Sequence, residues 1–237
     1  MMLSAPIFRL KREARLLARA SSVPLHDALD EIARREGYRS WSHLSGSKPD
    51  RRPAKRILEE LLSGDLMLLG ARPGHGKTLV GLELAVEGVR AGRRSFFFSL
   101  EENEAAVVDR LRALGAEEKA FHDSLVVDTS NDICADYIED RVRDGCADSV
   151  VVIDYLQILD QKRSNPALAA QLEKLRALAR DMPSIVVTMC QIDRSFDLKS
   201  KRLPELSDVR LPNPANLALF TKTCFMHEGE ILLQAAS

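Results

Sequence analysis

The 237-residue sequence predicts an α/β fold, a doubly wound and mostly parallel sheet with flanking helices, preceded by a small helical module. Three observations predict it. From residue 54 onward, short apolar runs alternate with segments of helical period, the pattern of repeated strand–helix–strand units. The apolar run that begins at Leu66 passes through a Gly/Pro-rich turn directly into the helical pattern Val80, Leu82, Leu84, Ala85. A third run, Ser149-Val-Val-Val-Ile-Asp154, is apolar until it ends on an acid, as a strand buried on both faces would be.

Composition bounds what surrounds that fold. With 45% hydrophobic and 29% charged residues, a net charge of −1 and no apolar run near eighteen residues, the chain reads as soluble and globular, with no membrane partner. Residues Met1 to Ala20 carry cations but no uninterrupted apolar segment, which argues against a secretory signal and for a cytoplasmic location. Cys134, Cys146, Cys190 and Cys224 are far apart and form no C-x-x-C pair. They read as buried thiols rather than a zinc site or a disulfide framework. Charge is unevenly distributed, with 13 Lys/Arg against 6 Asp/Glu up to Arg56. A basic module suits a polyanionic partner, and equally presents a solvated helix face.

In order, Ile7, Leu10, Ala14 and Leu17 recur at helical spacing and predict an amphipathic helix over 8–20. A second helix has Pro24 in its first turn, Leu25, Ala28, Leu29 and Ile32 on one face, and Gly37 to end it. Tyr38, Trp41 and Leu44 then close a very small core. Two or three helices of this size fit a helix-turn-helix, a docking module or a lid, and no recognition helix is identifiable. Gly46 to Pro53 has linker composition, so the expected organisation is a basic helical module at 1–46, a linker at 47–53 and the α/β domain at 54–237. A short helix follows at 54–62, then the strand from Leu66, the helix after the turn, and strands near Arg94–Leu100 and Leu125–Asp128. A helix containing Tyr137 to Asp144, the strand ending at Asp154, a helix over 168–180 and a strand from Ser184 to Met189 complete the series.

The turn Arg72-Pro-Gly-His-Gly-Lys-Thr-Leu79 has the order of a phosphate-binding loop. Gly74 and Gly76 let the backbone curl so that successive N–H groups from Arg72 through Leu79, Pro73 excepted, point toward phosphate oxygens, and His75 lies within that cradle. Lys77 reaches the β- and γ-phosphates, and the Thr78 hydroxyl is a Mg²⁺ ligand. In the strict spacing the first position is glycine; here it is Ala71, with Gly70 one residue earlier. Asp154, at the end of an apolar strand, is the acid expected to hold Mg²⁺. Glu101, in Glu101-Glu102-Asn103-Glu104, is placed either as a base for an attacking water or as part of an acidic helix start, and local sequence favours the helix start. Gln191 ends another strand, where a polar side chain can contact a γ-phosphate or close a turn. All four sites fall on the carboxyl edge of the predicted sheet.

Five runs occur together: Gly70-Ala-Arg-Pro-Gly-His-Gly-Lys-Thr, Phe97-Phe-Ser-Leu-Glu-Glu, Val152-Ile-Asp-Tyr-Leu-Gln, Gln191-Ile-Asp-Arg and Pro204-Glu-Leu-Ser-Asp-Val-Arg210. In this order and spacing they resemble the motor domain of the DnaB family of replicative helicases, over roughly residues 55 to 225. The resemblance implies a RecA-like core that binds ATP and Mg²⁺, forms a homo-oligomeric, hexameric ring and moves along single-stranded DNA. By it, Glu101 matches the catalytic glutamate, Lys77 the phosphate-bridging lysine, Gln191 the γ-phosphate sensor, and Asp154 the Mg²⁺-associated acid.

Three features differ from that family. The N-terminal module does not look like the family's own helical domain. Leu211-Pro-Asn-Pro-Ala-Asn216 replaces a stretch rich in Gly, Glu and Asp, and Lys222 is the only Lys or Arg after Arg210, where the family supplies an arginine finger. Such a finger contributes on the order of 10³–10⁵ in rate, so slow hydrolysis is expected unless a partner supplies the charge. Expected DNA contacts are Lys162 and Arg163, in the loop from Gln161 to Asn165, and Arg194, Lys199, Lys201 and Arg202, with Phe196 the one aromatic. Solvated loops fit these residues as well. The expected function is an ATP-dependent helicase or translocase; the alternative is an ATP-binding switch of weak hydrolysis that controls docking of the N-terminal module.

Overall fold

A computed structural model of the chain describes residues 7–46, 53–116, 123–143, 148–159, 162, 164–193, 196, 203–211, 213–227 and 230–236. The chain divides into two compact units, residues 1–51 with 228–230, and residues 52–227 with 231–237. The N-terminal unit contains α1 (Ile7–Ser21), α2 (Leu25–Arg35) and α3 (Trp41–Gly46). Its core is Leu10, Ala14, Ala28, Ile32, Ala33 and Leu44, with Tyr38 and Trp41 packed against it. Asp30 accepts a 2.8 Å bond from Trp41 N–H, which ties the start of α3 to α2. Leu25 departs from expectation. It is exposed, because it opens the first turn of α2 ahead of the buried Ala28–Ile32 face.

The second unit opens with α4 (Pro53–Glu59) and β1 (Leu66–Ala71), and then alternates. In chain order come α5 (Lys77–Arg90), β2 (Ser95–Ser99), α6 (Glu104–Ala113), β3 (Leu125–Asp128), α7 (Ala135–Arg143), β4 (Val150–Asp154), α8 (Leu168–Asp181), β5 (Ile185–Gln191), β6 (Lys222–His227) and β7 (Glu230–Ala235). The strands form one seven-stranded sheet in the order β3-β2-β4-β5-β1-β6-β7. The pairs β1–β5, β1–β6, β2–β3, β2–β4 and β4–β5 are all parallel. Ala236 N–H donates to Thr221 O (2.9 Å), setting the end of β7 against the start of β6.

Side chains alternate across the pleat, and both faces are covered. Met67, Leu69, Phe97, Val152, Val187 and Met189 pack with α4, α5 and α6 on one face. Leu66, Leu68, Phe96, Phe98, Val151, Ile153 and Val186 pack with α7 and α8 on the other. Every residue of β1, β2 and β4 is buried; their central runs are apolar, and the buried polar residues Ser95, Ser99 and Asp154 stand only at strand ends.

The strand expected to end at Asp154 does so, and Leu156–Ile158 beyond it is a single 3₁₀ turn. One expectation is corrected. The strand–helix alternation stops after β5, because β6 is reached through the 3₁₀ turns Leu206–Asp208 and Leu217–Leu219 with no α-helix among the described residues. Cys190 and Cys224 are buried thiols, whereas Cys134 is only half-buried and Cys146 lies outside the described residues.

Candidate active site

The site is built where β1 stops. β1 has β5 on one side and β6 on the other. The chain leaves β1 for α5 and β2 in one direction and leaves β5 for β6 in the other, so the carboxyl end of β1 opens into a switch-point crevice. The turn from Arg72 to Gly76 occupies that end. Gly74 (φ 78°) and Gly76 (φ 82°) are left-handed, a conformation costing a non-glycine residue roughly 1–2 kcal/mol. Gly76 caps α5, and its carbonyl accepts from Val80 N–H at 3.0 Å. Arg72 is half-buried, Pro73 and Gly74 are exposed, and Leu79 is an exposed residue of the first helical turn. The His75 ring stacks on that of His227, at the end of β6, with centroids 4.9 Å apart; Phe196 meets His227 edge-on.

Lys77 and Thr78 follow in the first turn of α5 and converge on Asp154. The Lys77 ammonium lies 2.7 Å from Asp154 Oδ1 and the Thr78 hydroxyl donates to Oδ2 at 2.9 Å. Asp154 is 1% exposed, so both oxygens of a fully buried carboxylate have partners from the same helix turn. Lys77 also lies 3.5 Å from Glu101 Oε2 and 4.4 Å above the Tyr155 ring. Its ammonium is thus held by two carboxylates and an aromatic face. Burial, with the Glu101 and Asp154 charges nearby, pushes the Tyr155 phenol up from its usual range. The Asp154–Tyr155 peptide bond is cis.

The acidic run after β2 divides its work. Ser99 Oγ accepts from the N–H groups of Glu101 and Glu102 at 3.3 and 3.2 Å and turns the chain at the strand end. Asn103 caps α6, accepting from Ala106 N–H, and Glu104 occupies its first turn. Glu102 makes a two-pronged pair with Arg110, which raises that guanidinium's affinity for its proton. Glu101 alone turns toward Lys77, with a side chain 43% exposed. Gln191 is the last residue of β5, opposite Ala71 in register.

Mg²⁺ suits this donor set. It is usually held by one or two protein oxygens together with substrate phosphates and waters. Asp154 and Thr78 supply such oxygens, and no group of three or more His, Cys, Asp or Glu that could hold a metal occurs among the described residues.

The expected DNA contacts are less visible. Lys162 is engaged with Asp132 in an exposed 2.8 Å pair. Gln161, Arg163, Arg194, Lys199, Lys201 and Arg202 lie outside the described residues. Two residues of the site were not singled out from sequence, Tyr155 and Gln157. Both belong to the run Val152-Ile-Asp-Tyr-Leu-Gln, and that spacing from Asp154 was the available signal.

Comparison with known proteins agrees with the fold. The family model described as DnaB-like helicase C terminal domain matches residues 113–213. That match begins beyond the phosphate loop, so the loop stands on its own residues. A probable plasmid replicative DNA helicase of Chlamydia muridarum is 28% identical over 182 residues, 63% of this chain and 40% of that protein. The replicative DNA helicase DnaB of Leifsonia xyli is 24% identical over 227 residues, 79% of this chain and 48% of the relative. The chain therefore spans less than half the length of these relatives. Among solved structures, one described as an ATPase domain superposes with a TM-score of 0.58 at 17% identity, covering 79% of this chain and 80% of that one. A DnaB-like replicative helicase studied for its interactions with primase gives 0.58 at 18% identity, covering 92% and 65%. The fold is RecA-like, and the chain is similar in sequence to DnaB-type replicative helicases.

Proposed function

We propose that the chain is a Mg²⁺-dependent ATPase motor of the DnaB type, acting on DNA as a helicase or translocase. One observation carries the reading: Lys77, Thr78, Asp154 and Glu101, from three separate segments, meet at the carboxyl edge of a RecA-like sheet beside a left-handed glycine loop. Main-chain N–H groups of 72–79 cradle the phosphates, and Lys77 exchanges its two carboxylate partners for the β- and γ-phosphate oxygens. Thr78 and Asp154 would hold Mg²⁺, which would supply neutralisation of the phosphate charge. Glu101 is exposed enough to meet water and close enough to Lys77 to lie beside the γ-phosphate, which suits a base that orients and deprotonates the attacking water. Gln191 senses the γ-phosphate from the end of β5.

The chain would act as a cytoplasmic homo-oligomer, in a hexameric ring around single-stranded DNA, with Lys162, Arg163, Arg194 and the 199–202 stretch facing the strand. A second reading is the ATP-binding switch with the N-terminal module at 1–46 as its output, a module that carries its own small core of Leu10, Ala14, Ala28, Ile32, Ala33 and Leu44.

Glu101→Gln tests the chemistry. It should bind a Mg²⁺–ATP analogue within about threefold of the parent protein and hydrolyse ATP at least about 10²-fold more slowly, the range of a lost general base. Equal hydrolysis by both proteins would refute the assignment of Glu101.

A further inference from the structure

β5 outruns its neighbour. β4 pairs with β5 only as far as Ile153 against Thr188, whereas β1 follows β5 to its last residue, Ala71 against Gln191. Successive residues of a parallel strand turn their N–H and C=O to alternate sides. Ile192 N–H donates to Ala71 O at 3.1 Å, so the main-chain groups of Gln191 face the other side, where β4 has already ended at Asp154. Left open in a buried sheet edge, those groups would be costly.

Gln157 fills the gap. Its side chain is almost wholly buried, at 9% residue exposure. Its Oε1 accepts from Gln191 N–H at 3.4 Å, and its Nε2 donates to Gln191 O at 3.3 Å and to Arg210 O at 2.5 Å. Arg210 N–H in turn donates to Gln191 O at 3.1 Å, and Ile192 bridges Val209. One primary amide therefore replaces the missing piece of β4 and holds three segments in register: the turn after Asp154, the end of β5, and the 203–211 segment. The task needs a donor and an acceptor on one planar group, so neither a carboxylate nor an aliphatic side chain of this size could perform it.

We infer that Gln157 is the positioning residue that couples Gln191 to Arg210, so that a nucleotide at the phosphate loop is registered in the 203–211 segment. The inference rests on the ATPase reading above. Arg210, the last arginine of the sequence, is exposed, and its charge bears on Tyr155, which leans over Lys77. A clamp on its backbone therefore sets where that guanidinium stands relative to the site.

Amide hydrogen exchange on the full chain, with and without a non-hydrolysable ATP analogue and Mg²⁺, tests this. In the parent protein, nucleotide should slow exchange both at 74–78 and at 205–210. Gln157→Leu should keep the slowing at 74–78 and lose about tenfold of it at 205–210, the scale of one hydrogen bond. Gln157→Glu keeps the size and the acceptor and loses the donor to Arg210 O; it gives the same result should the leucine variant fail to fold. In turnover, Gln157→Leu should lower kcat with KM changed less than about twofold, and should lower it no further in a Gln191→Ala background. Equal nucleotide-induced slowing at 205–210 in parent and variant, or effects that multiply in the double variant, would overturn the coupling. No slowing at 74–78 in the parent protein would instead refute the nucleotide reading, and this inference with it.

Discussion

Lys77 and Asp154 are buried together, with side chains 8% and 0% exposed. Removing one member of such a pair strands the other charge in low dielectric, at a cost of about 3–5 kcal/mol. Lys77→Ala is therefore expected to destabilise the fold as well as abolish phosphate contact, and adding Asp154→Asn should return part of the lost stability. Urea midpoints of the two variants decide it; an Asp154→Asn addition that lowers the midpoint further would contradict the pairing. The buried thiols give a second expectation at this scale. Burial pushes Cys190 and Cys224 up to about 12. An acid raised in the folded state stabilises below its unfolded value, near 8.5, and that contribution is lost as pH rises from there toward 12. At pH 8 both should resist iodoacetamide until the chain unfolds, while half-buried Cys134 reacts; peptide mass spectrometry reads each site.

At the scale of elements, the close approach of α5 to the sheet matters most. A Cβ on Gly88 would meet Ser95 Oγ at 2.5 Å and Val150 Cγ2 at 2.9 Å, both on strands that cannot withdraw. Gly88→Ala is expected to lower stability by about 1–2 kcal/mol even after the helix-propensity gain of about 1 kcal/mol. A Cβ on Gly81 meets Met189 Sδ and Cε at 2.6 and 2.8 Å, the movable end of a flexible side chain, so Gly81→Ala should be nearly neutral. Thermal melts of the two variants distinguish these cases.

Such contacts also mark what could be read in advance. β1, β2 and β4 were legible because strands buried on both faces carry unbroken apolar runs between their ends, and α5 because a glycine turn and Lys77-Thr78 announce it. β6 and β7 were not, because Lys222-Thr-Cys-Phe-Met-His alternates too irregularly to mark a strand and no helix precedes it. Glu101 could not be separated from Glu102 and Glu104 by local sequence. The separation comes from Arg110, eight residues beyond Glu102, and from Lys77, on another element. Gln157 was unreadable for the same reason: its task is set by where β4 stops relative to β5, a tertiary fact.

For the whole molecule, each unit has its own core, Leu10 to Leu44 in one and the two faces of the sheet in the other. Residues 53–237 produced alone are expected to melt cooperatively and to bind a Mg²⁺–ATP analogue about as the full chain does; a fragment that fails to fold would contradict the division. The similarity to replicative helicases, the RecA-like sheet and the cluster around Lys77 together support a motor, while an N-terminal unit with its own core leaves a switch as the alternative. Steady-state ATP hydrolysis, measured with and without single-stranded DNA at several protein concentrations against Glu101→Gln, separates them most directly. The account predicts a DNA-stimulated rate that rises faster than linearly with protein concentration. A rate equal to that of Glu101→Gln under every condition, with nucleotide still bound, would contradict it.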